Sequence, residues 1–310
     1  MLKRLSILTF SLMISTQLSF AQPTSTTPSS SALQVNTQTQ QSFILKSKYT
    51  SHDYLIQVSV PNTETPAQGF PVLYVLDGNA SFNSAANIAK SVGAGANRLG
   101  LTPVAIVAIG YPDEKTFAVE KRALDYTPKA SEDVQKQAKY QYGGADQFIQ
   151  FIEKELKPAI NSRIKVNPQQ QSLFGHSFGG LFVLHAFFTQ PQNFQRYIAA
   201  SPSLWFDNQV LFKQQANWLK QKPENTNAML MTTVGTHEDK GPANSDRSQQ
   251  DSFYQNFQAQ RSEQFLFWNF KHPAEQHLTN LYASLPKAIM LAGCKDDKSC
   301  SALFDEAIKP

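Results

Sequence analysis

The chain has 310 residues, 41% hydrophobic and 17% charged, with a formal net charge of +4. That suits one globular domain of about 250 residues with appendages, large enough to bury a core of two or three layers. Two of its cations, Lys3 and Arg4, lie in the leader described next. The remainder is nearly neutral, which argues against a nucleic-acid or membrane-binding stripe.

Residues 1–21 read as a cleavable export signal. MLKR is a short basic start, LSILTFSLMIS an apolar stretch too short to span a bilayer, and Ser19-Phe20-Ala21 a small-x-small cleavage pattern. Export predicts a periplasmic or secreted protein with no membrane span after cleavage. Residues 22–41, rich in Ser, Thr, Gln and Pro, have no apolar period and read as a disordered tether.

The domain is expected over residues 42–293. SFILKSKY and HDYLIQVSVP alternate as half-buried strands, whereas FPVLYVLDG and TPVAIVAIGY are continuous apolar runs suited to strands covered on both faces. An Ala-rich helix is expected over residues 82–97. In ADQFIQFIEKELKPAI, the positions Phe148, Ile149, Phe151, Ile152 and Leu156 share a helical face, and Pro158 marks its end. QSLFG, RYIAAS, NAMLMTTVG and QFLFWNF complete about eight strands, the later six joined by crossover-length connections. The alternation predicts an α/β fold: a single domain with a mostly parallel eight-stranded sheet flanked by helices. Residues 112–144 show no clear period and read as a lid or substrate-binding insert.

The tail 294–310 holds the two cysteines, Cys294 and Cys300. In an exported protein this spacing predicts a local disulfide that staples the tail.

The chemistry centres on Gly175-His176-Ser177-Phe178-Gly179, with a strand before it and a helix after it. G-x-S-x-G in that context is a nucleophile elbow: the missing Cβ atoms let the chain turn sharply and the helix pack close. Ser177 is therefore the expected nucleophile. It needs a base, and chain order in elbow hydrolases puts acid and then histidine after the serine. His277 is preferred and His272 is the alternative; both lie in KHPAEQH after the last strand. The acid is expected after the preceding strand, as Glu238 with Asp239 the alternative. Three adjacent residues, His237, Glu238 and Asp239, seldom converge on one ion, so no metal and no cofactor are expected. The backbone N–H groups of Phe178 and Asn79 are the expected oxyanion donors.

With these residues in hand, the chain resembles the putative-esterase family of α/β-hydrolases, which includes esterase D and the enterobactin-type siderophore esterases. The resemblance covers roughly residues 40–292. It is carried by VLYVLDGNASF, AIVAIGY, KRALDYTP, GHSFGG, SPSLWF, VGTHE and EQHLTNLYASL. KRALDYTP, SPSLWF and the export signal together look most like the periplasmic hydrolases of catecholate siderophores. That resemblance implies a serine esterase acting on a small-molecule ester, here a ferric catecholate siderophore. It also admits a Ser–His pair acting without the acid. A broad acyl esterase, an acyltransferase and a non-catalytic siderophore-binding protein are the alternatives.

In that setting Arg122 and Lys121 offer cations to an anionic iron–catecholate complex, and Tyr111, Tyr126, Trp205 and Phe206 offer flat walls. An ion pair with Asp125 is the structural alternative for Arg122, and core packing the alternative for Trp205.

Overall fold

A computed structural model describes residues 39–112, 116–221, 226–238 and 247–305. The expected signal and most of the expected tether lie outside the described residues, as does Asp239.

Eight strands form one sheet: β1 (Gln40–Lys46), β2 (Asp53–Ser59), β3 (Phe70–Val75), β4 (Ala105–Gly110), β5 (Val166–His176), β6 (Arg196–Ala200), β7 (Ala228–Gly235) and β8 (Phe265–His272). Their order is β1-β2-β4-β3-β5-β6-β7-β8. β1 pairs antiparallel with β2 and β2 antiparallel with β4, while β3 to β8 are parallel throughout. β1 begins two residues inside the segment read from sequence as a tether.

The helices are α1 (Gly78–Ala94), α2 (Ala96–Leu99), α3 (Val119–Asp125), α4 (Glu132–Gln137), α5 (Ala145–Phe151), α6 (Lys157–Asn161), α7 (Phe178–Thr189), α8 (Phe206–Lys220), α9 (Arg247–Ala259), α10 (His277–Gly293) and α11 (Asp297–Phe304). Period-two alternation distributes the sheet between two cores. Val72 and Tyr74 of β3 face the layer of α5, α7 and α8, while Leu73 and Val75 face α1 and α10. Burying each such side chain contributes about 1.5–3 kcal/mol, which explains why β3 and β4 are apolar without interruption.

Pro158 does not end its helix. A π turn at Ile152–Leu156 carries the chain into α6, with Pro158 in the first turn of that last segment. Proline lacks the N–H that an α turn would require, and a wider turn accommodates the missing donor. The segment 112–144 contains α3 and α4, each under two turns long, too short to print a helical period. Asp207 ties it to the start of α8, accepting from the Ser131 N–H at 3.1 Å and its hydroxyl at 2.6 Å.

Cys294 and Cys300 form a disulfide, and both are buried. Beyond it, α11 packs Phe304 against Trp268 and Phe270 of β8. Among the described residues, no helix is long and apolar enough to cross a membrane.

Candidate active site

The carboxyl ends of β5, β6, β7 and β8 lie side by side, and each contributes to one cluster. Ser177 occupies the turn between β5 and α7 with φ 60° and ψ −116°. This is a costly conformation for a residue with a side chain, of order 1–3 kcal/mol. The Ser177 N–H donates to the Ala200 carbonyl at 3.0 Å, and its carbonyl accepts from Leu181 at 2.9 Å. These bonds to β6 and α7 hold the strained turn.

The neighbouring glycines supply room rather than rotation. A Cβ on Gly175 would sit 2.4 Å from the Gly179 carbonyl oxygen, and one on Gly180 would sit 2.8 Å from that of Ala200. The residue with the unusual dihedrals is the serine itself.

His277 opens α10 behind its N-cap, Gln276, which forms a reciprocal capping box with Thr279. That cap fixes where the imidazole leaves the helix. His277 Nε2 is 2.9 Å from Ser177 Oγ, and Nδ1 is 3.1 Å from Glu238 Oε2. A carboxylate only accepts, so Nδ1 carries the proton and Nε2 is the acceptor for the serine hydroxyl. Glu238 Oε1 accepts from the Ser201 hydroxyl at 2.7 Å and from the Gly235 N–H. A Cβ on Gly235 would approach Glu238 Oε1 to 2.9 Å and the Glu275 carbonyl oxygen to 2.3 Å, so this strand end requires glycine.

His272, the alternative base, does not reach the serine. It is buried at the end of β8, with Nδ1 2.6 Å from Asn280 Oδ1. Burial, opposed by that hydrogen bond, lowers its pKa. His185 on α7 pairs with Asp146 at 2.9 Å, and among the described residues no three metal-ligating side chains cluster.

Phe178 is the first residue of α7 and Asn79 the second of α1, so both N–H groups belong to helix first turns. There the backbone amides point outward along a favourable dipole. The Asn79 side chain is fixed by Tyr111, donating to its carbonyl at 2.9 Å and accepting from its N–H at 2.8 Å.

The substrate-facing set is divided. Trp205 is 44% exposed, its ring 5.8 Å from that of Phe178, and so stands at the surface beside the residue that follows Ser177. Phe206 is buried beneath it. Tyr111 and Tyr126 are buried too and present no face to solvent. The Tyr111 hydroxyl donates to Asp125 at 3.0 Å, and that of Tyr126 accepts from the Asp77 N–H at 3.1 Å. Arg122 pairs with Asp77 rather than Asp125, its side chain 11% exposed, because Asp125 is already held by the hydroxyls of Tyr54 and Tyr111. Lys121 lies over the Tyr111 ring, 5.6 Å from its centroid.

Three groups at the site escaped the sequence reading. The His176 ring packs 4.7 Å from that of His277, and its Nε2–H donates to the His277 carbonyl at 2.6 Å. Burial first, then the nearby His277, hold its pKa down at about 3. Ser201 and Asn280 support Glu238 from below, with Asn280 Nδ2 2.7 Å from Ser201 Oγ. Both fall in segments already marked by their likeness to esterases, SPSLWF and EQHLTNLYASL, but nothing in spacing distinguishes them from core residues.

A serine, a histidine and a carboxylate in hydrogen-bonded sequence across the carboxyl edge of a parallel sheet define an α/β-hydrolase architecture. The family model described as "Putative esterase" matches residues 47–280, and the chain belongs to that family. It is 37% identical over 197 residues to the siderophore triacetylfusarinine C esterase of Aspergillus fumigatus, covering 61% of this chain and 65% of that protein. It is 34% identical over 187 residues to the ferri-bacillibactin esterase BesA of Bacillus subtilis, covering 59% and 64% respectively. The chain thus spans just under two thirds of the length of these curated relatives. Among solved structures, the BES protein of Bacillus cereus superposes with a TM-score of 0.75 at 31% identity, covering 82% of this chain and 96% of that one.

Proposed function

We propose that the protein is an exported serine esterase that opens the ester bonds of a catecholate siderophore through an acyl-enzyme. The observation that carries this reading is the line Ser177 Oγ–His277 Nε2 at 2.9 Å and His277 Nδ1–Glu238 Oε2 at 3.1 Å. The relatives named as siderophore esterases support the substrate class.

In this mechanism Ser177 Oγ attacks the ester carbonyl carbon while His277 Nε2 takes its proton. The N–H groups of Phe178 and Asn79 receive the negative charge that develops on the carbonyl oxygen. Collapse breaks the carbon–oxygen bond, and His277 returns the proton to the departing alkoxide. Water, deprotonated by the same imidazole, then attacks the acyl carbon; the bond to Ser177 Oγ breaks, His277 returns the proton to that oxygen, and the acid product leaves and ionises in water. Glu238 keeps the imidazole oriented and stabilises its charged form. Asp239 remains outside this proposal, since Glu238 already occupies the Nδ1 side of His277.

The test is chromatography of a ferric catecholate trilactone before and after incubation. The wild-type protein is expected to produce linear trimer and smaller fragments, while Ser177→Ala leaves the trilactone intact and does not react with a fluorophosphonate probe. An unchanged trilactone beside active p-nitrophenyl ester hydrolysis overturns the siderophore reading but keeps the esterase. Full turnover by Ser177→Ala overturns both. Export is tested separately by the N-terminus of the protein recovered from the producing cell, expected at Gln22.

A further inference from the structure

Beneath Glu238 lies a set of buried polar side chains drawn from four elements: Ser201 after β6, Thr233 on β7, His272 on β8, and Asn280 and Ser284 on α10. Their hydrogen bonds admit one consistent placement of protons. It begins at the carboxylate, which only accepts. Ser201 Oγ, 2.7 Å from Glu238 Oε1, must therefore donate to it. Having spent its only proton there, Ser201 must accept from Asn280, whose Nδ2 lies 2.7 Å away.

That fixes the Asn280 amide. Its second Nδ2 proton points to Thr233 Oγ1 at 3.3 Å. Thr233 in turn donates to Ser284 Oγ at 2.6 Å, and Ser284 donates to the main-chain carbonyl of Asn280 at 2.6 Å. The amide oxygen is left facing His272 Nδ1 at 2.6 Å, so that nitrogen must carry a proton. Flipping the amide would turn the Ser201 hydroxyl toward Asn280 and leave its lone pairs against a carboxylate.

We infer that His272, Asn280 and Ser201 form a one-way donor chain that positions Glu238, with His272 held as its Nδ1–H tautomer. With the Gly235 N–H, the chain gives Oε1 two donors and so leaves Oε2 directed at His277. Ser201 is itself held at φ 42°, a conformation its side chain opposes, by a bond from its N–H to the Thr233 carbonyl at 2.8 Å. These are positioning residues, and their effect on turnover rests on the catalytic reading proposed above.

Two measurements test the chain. Long-range nitrogen–proton NMR of the 15N-labelled wild-type protein at neutral pH is expected to show His272 protonated at Nδ1 and bare at Nε2. A Nε2–H tautomer overturns the inference, and this result needs no activity at all. Steady-state kinetics of Ser201→Ala, on protein shown to be folded, is expected to lower kcat about 10- to 100-fold, the range for losing a hydrogen bond to a charged group. KM should stay within about twofold, because the chain acts on the reaction and not on substrate contact. Asn280→Asp keeps the shape but turns donor into acceptor, and is expected to lower kcat at least as far. Unchanged kcat in folded Ser201→Ala, beside an inactive Ser177→Ala, overturns the chain alone. Activity in Ser177→Ala overturns the catalytic reading and leaves the tautomer result standing.

Discussion

Arg122 holds Asp77 through two parallel hydrogen bonds, Nε to Oδ1 at 2.8 Å and Nη2 to Oδ2 at 2.9 Å. The same guanidinium donates to the His176 carbonyl at 3.3 Å and lies 5.7 Å from the centre of the Phe178 ring. It thus ties α3 to the start of α1 and to the turn that carries Ser177. A cation that sequence offered equally to a substrate and to an ion pair is engaged inside the fold.

Arg122→Ala leaves the buried Asp77 carboxylate without its partner, and should lower stability by about 3–5 kcal/mol. Arg122→Lys should recover little, since an ammonium cannot replace the planar two-pronged contact. Urea denaturation measures both. An unchanged midpoint together with a raised KM would reassign Arg122 to the substrate.

The elbow glycines should respond differently to alanine. At Gly175 the new methyl would meet the Gly179 carbonyl oxygen at 2.4 Å, and a loss of about 3 kcal/mol with reduced turnover is expected. At Gly179 its nearest neighbour is Leu76 Cδ1 at 3.5 Å, an ordinary contact, and the position lies in α7. Gly179→Ala should fold with unchanged or slightly higher stability, since alanine is the better helix former by about 1 kcal/mol. Thermal melts of the pair decide it, and equal losses would remove the steric argument.

His176 makes stability depend on pH. In the folded protein its pKa is held at about 3, by burial first and by His277 next, against roughly 6.5 in an unfolded chain. Between those values the unfolded state binds more protons, so stability falls as pH drops through that window. The full penalty is of order 3–5 kcal/mol. His272, lowered by burial, adds in the same direction. His52, whose pKa is raised by the Asp125 carboxylate 3.6 Å from its Nδ1, acts oppositely: its contribution is present at low pH and lost as pH rises through its folded pKa. His176→Gln keeps a donor for the His277 carbonyl but cannot titrate. Its stability should fall less steeply than wild type between pH 6.5 and 4, and parallel curves would exclude the assignment.

Trp205 is exposed and packs its ring against Phe178, the residue after Ser177. If it supports a flat substrate ring, Trp205→Ala should raise KM roughly tenfold with kcat little changed, the scale of one aromatic contact. Equal KM values for both proteins would place the ring outside the substrate path.

The legible parts of this protein were those written in local pattern. All eight strands follow from apolar runs with turn residues between them, and the parallel pairing of the last six follows from connections long enough for a helix. Ser177 was legible because the elbow is contiguous. His277 and Glu238 followed from chain order, since successive strand ends in a parallel sheet are neighbours in space. Pro158 misled because a proline stops only a regular α turn, and the wider π turn ahead of it carries the helix past the missing donor.

The layered fold and the three side chains at its edge are therefore readable from short segments, because periodicity and chain order are local properties. Packing between distant segments is what pairs Arg122 with Asp77, buries Tyr111 and Tyr126, and brings Ser201, Asn280 and His272 together under Glu238. Those outcomes depend on which buried donor meets which acceptor across segments up to 79 residues apart. A buried polar atom takes the partner that packing brings to it, and nothing in the neighbouring residues states which one that is.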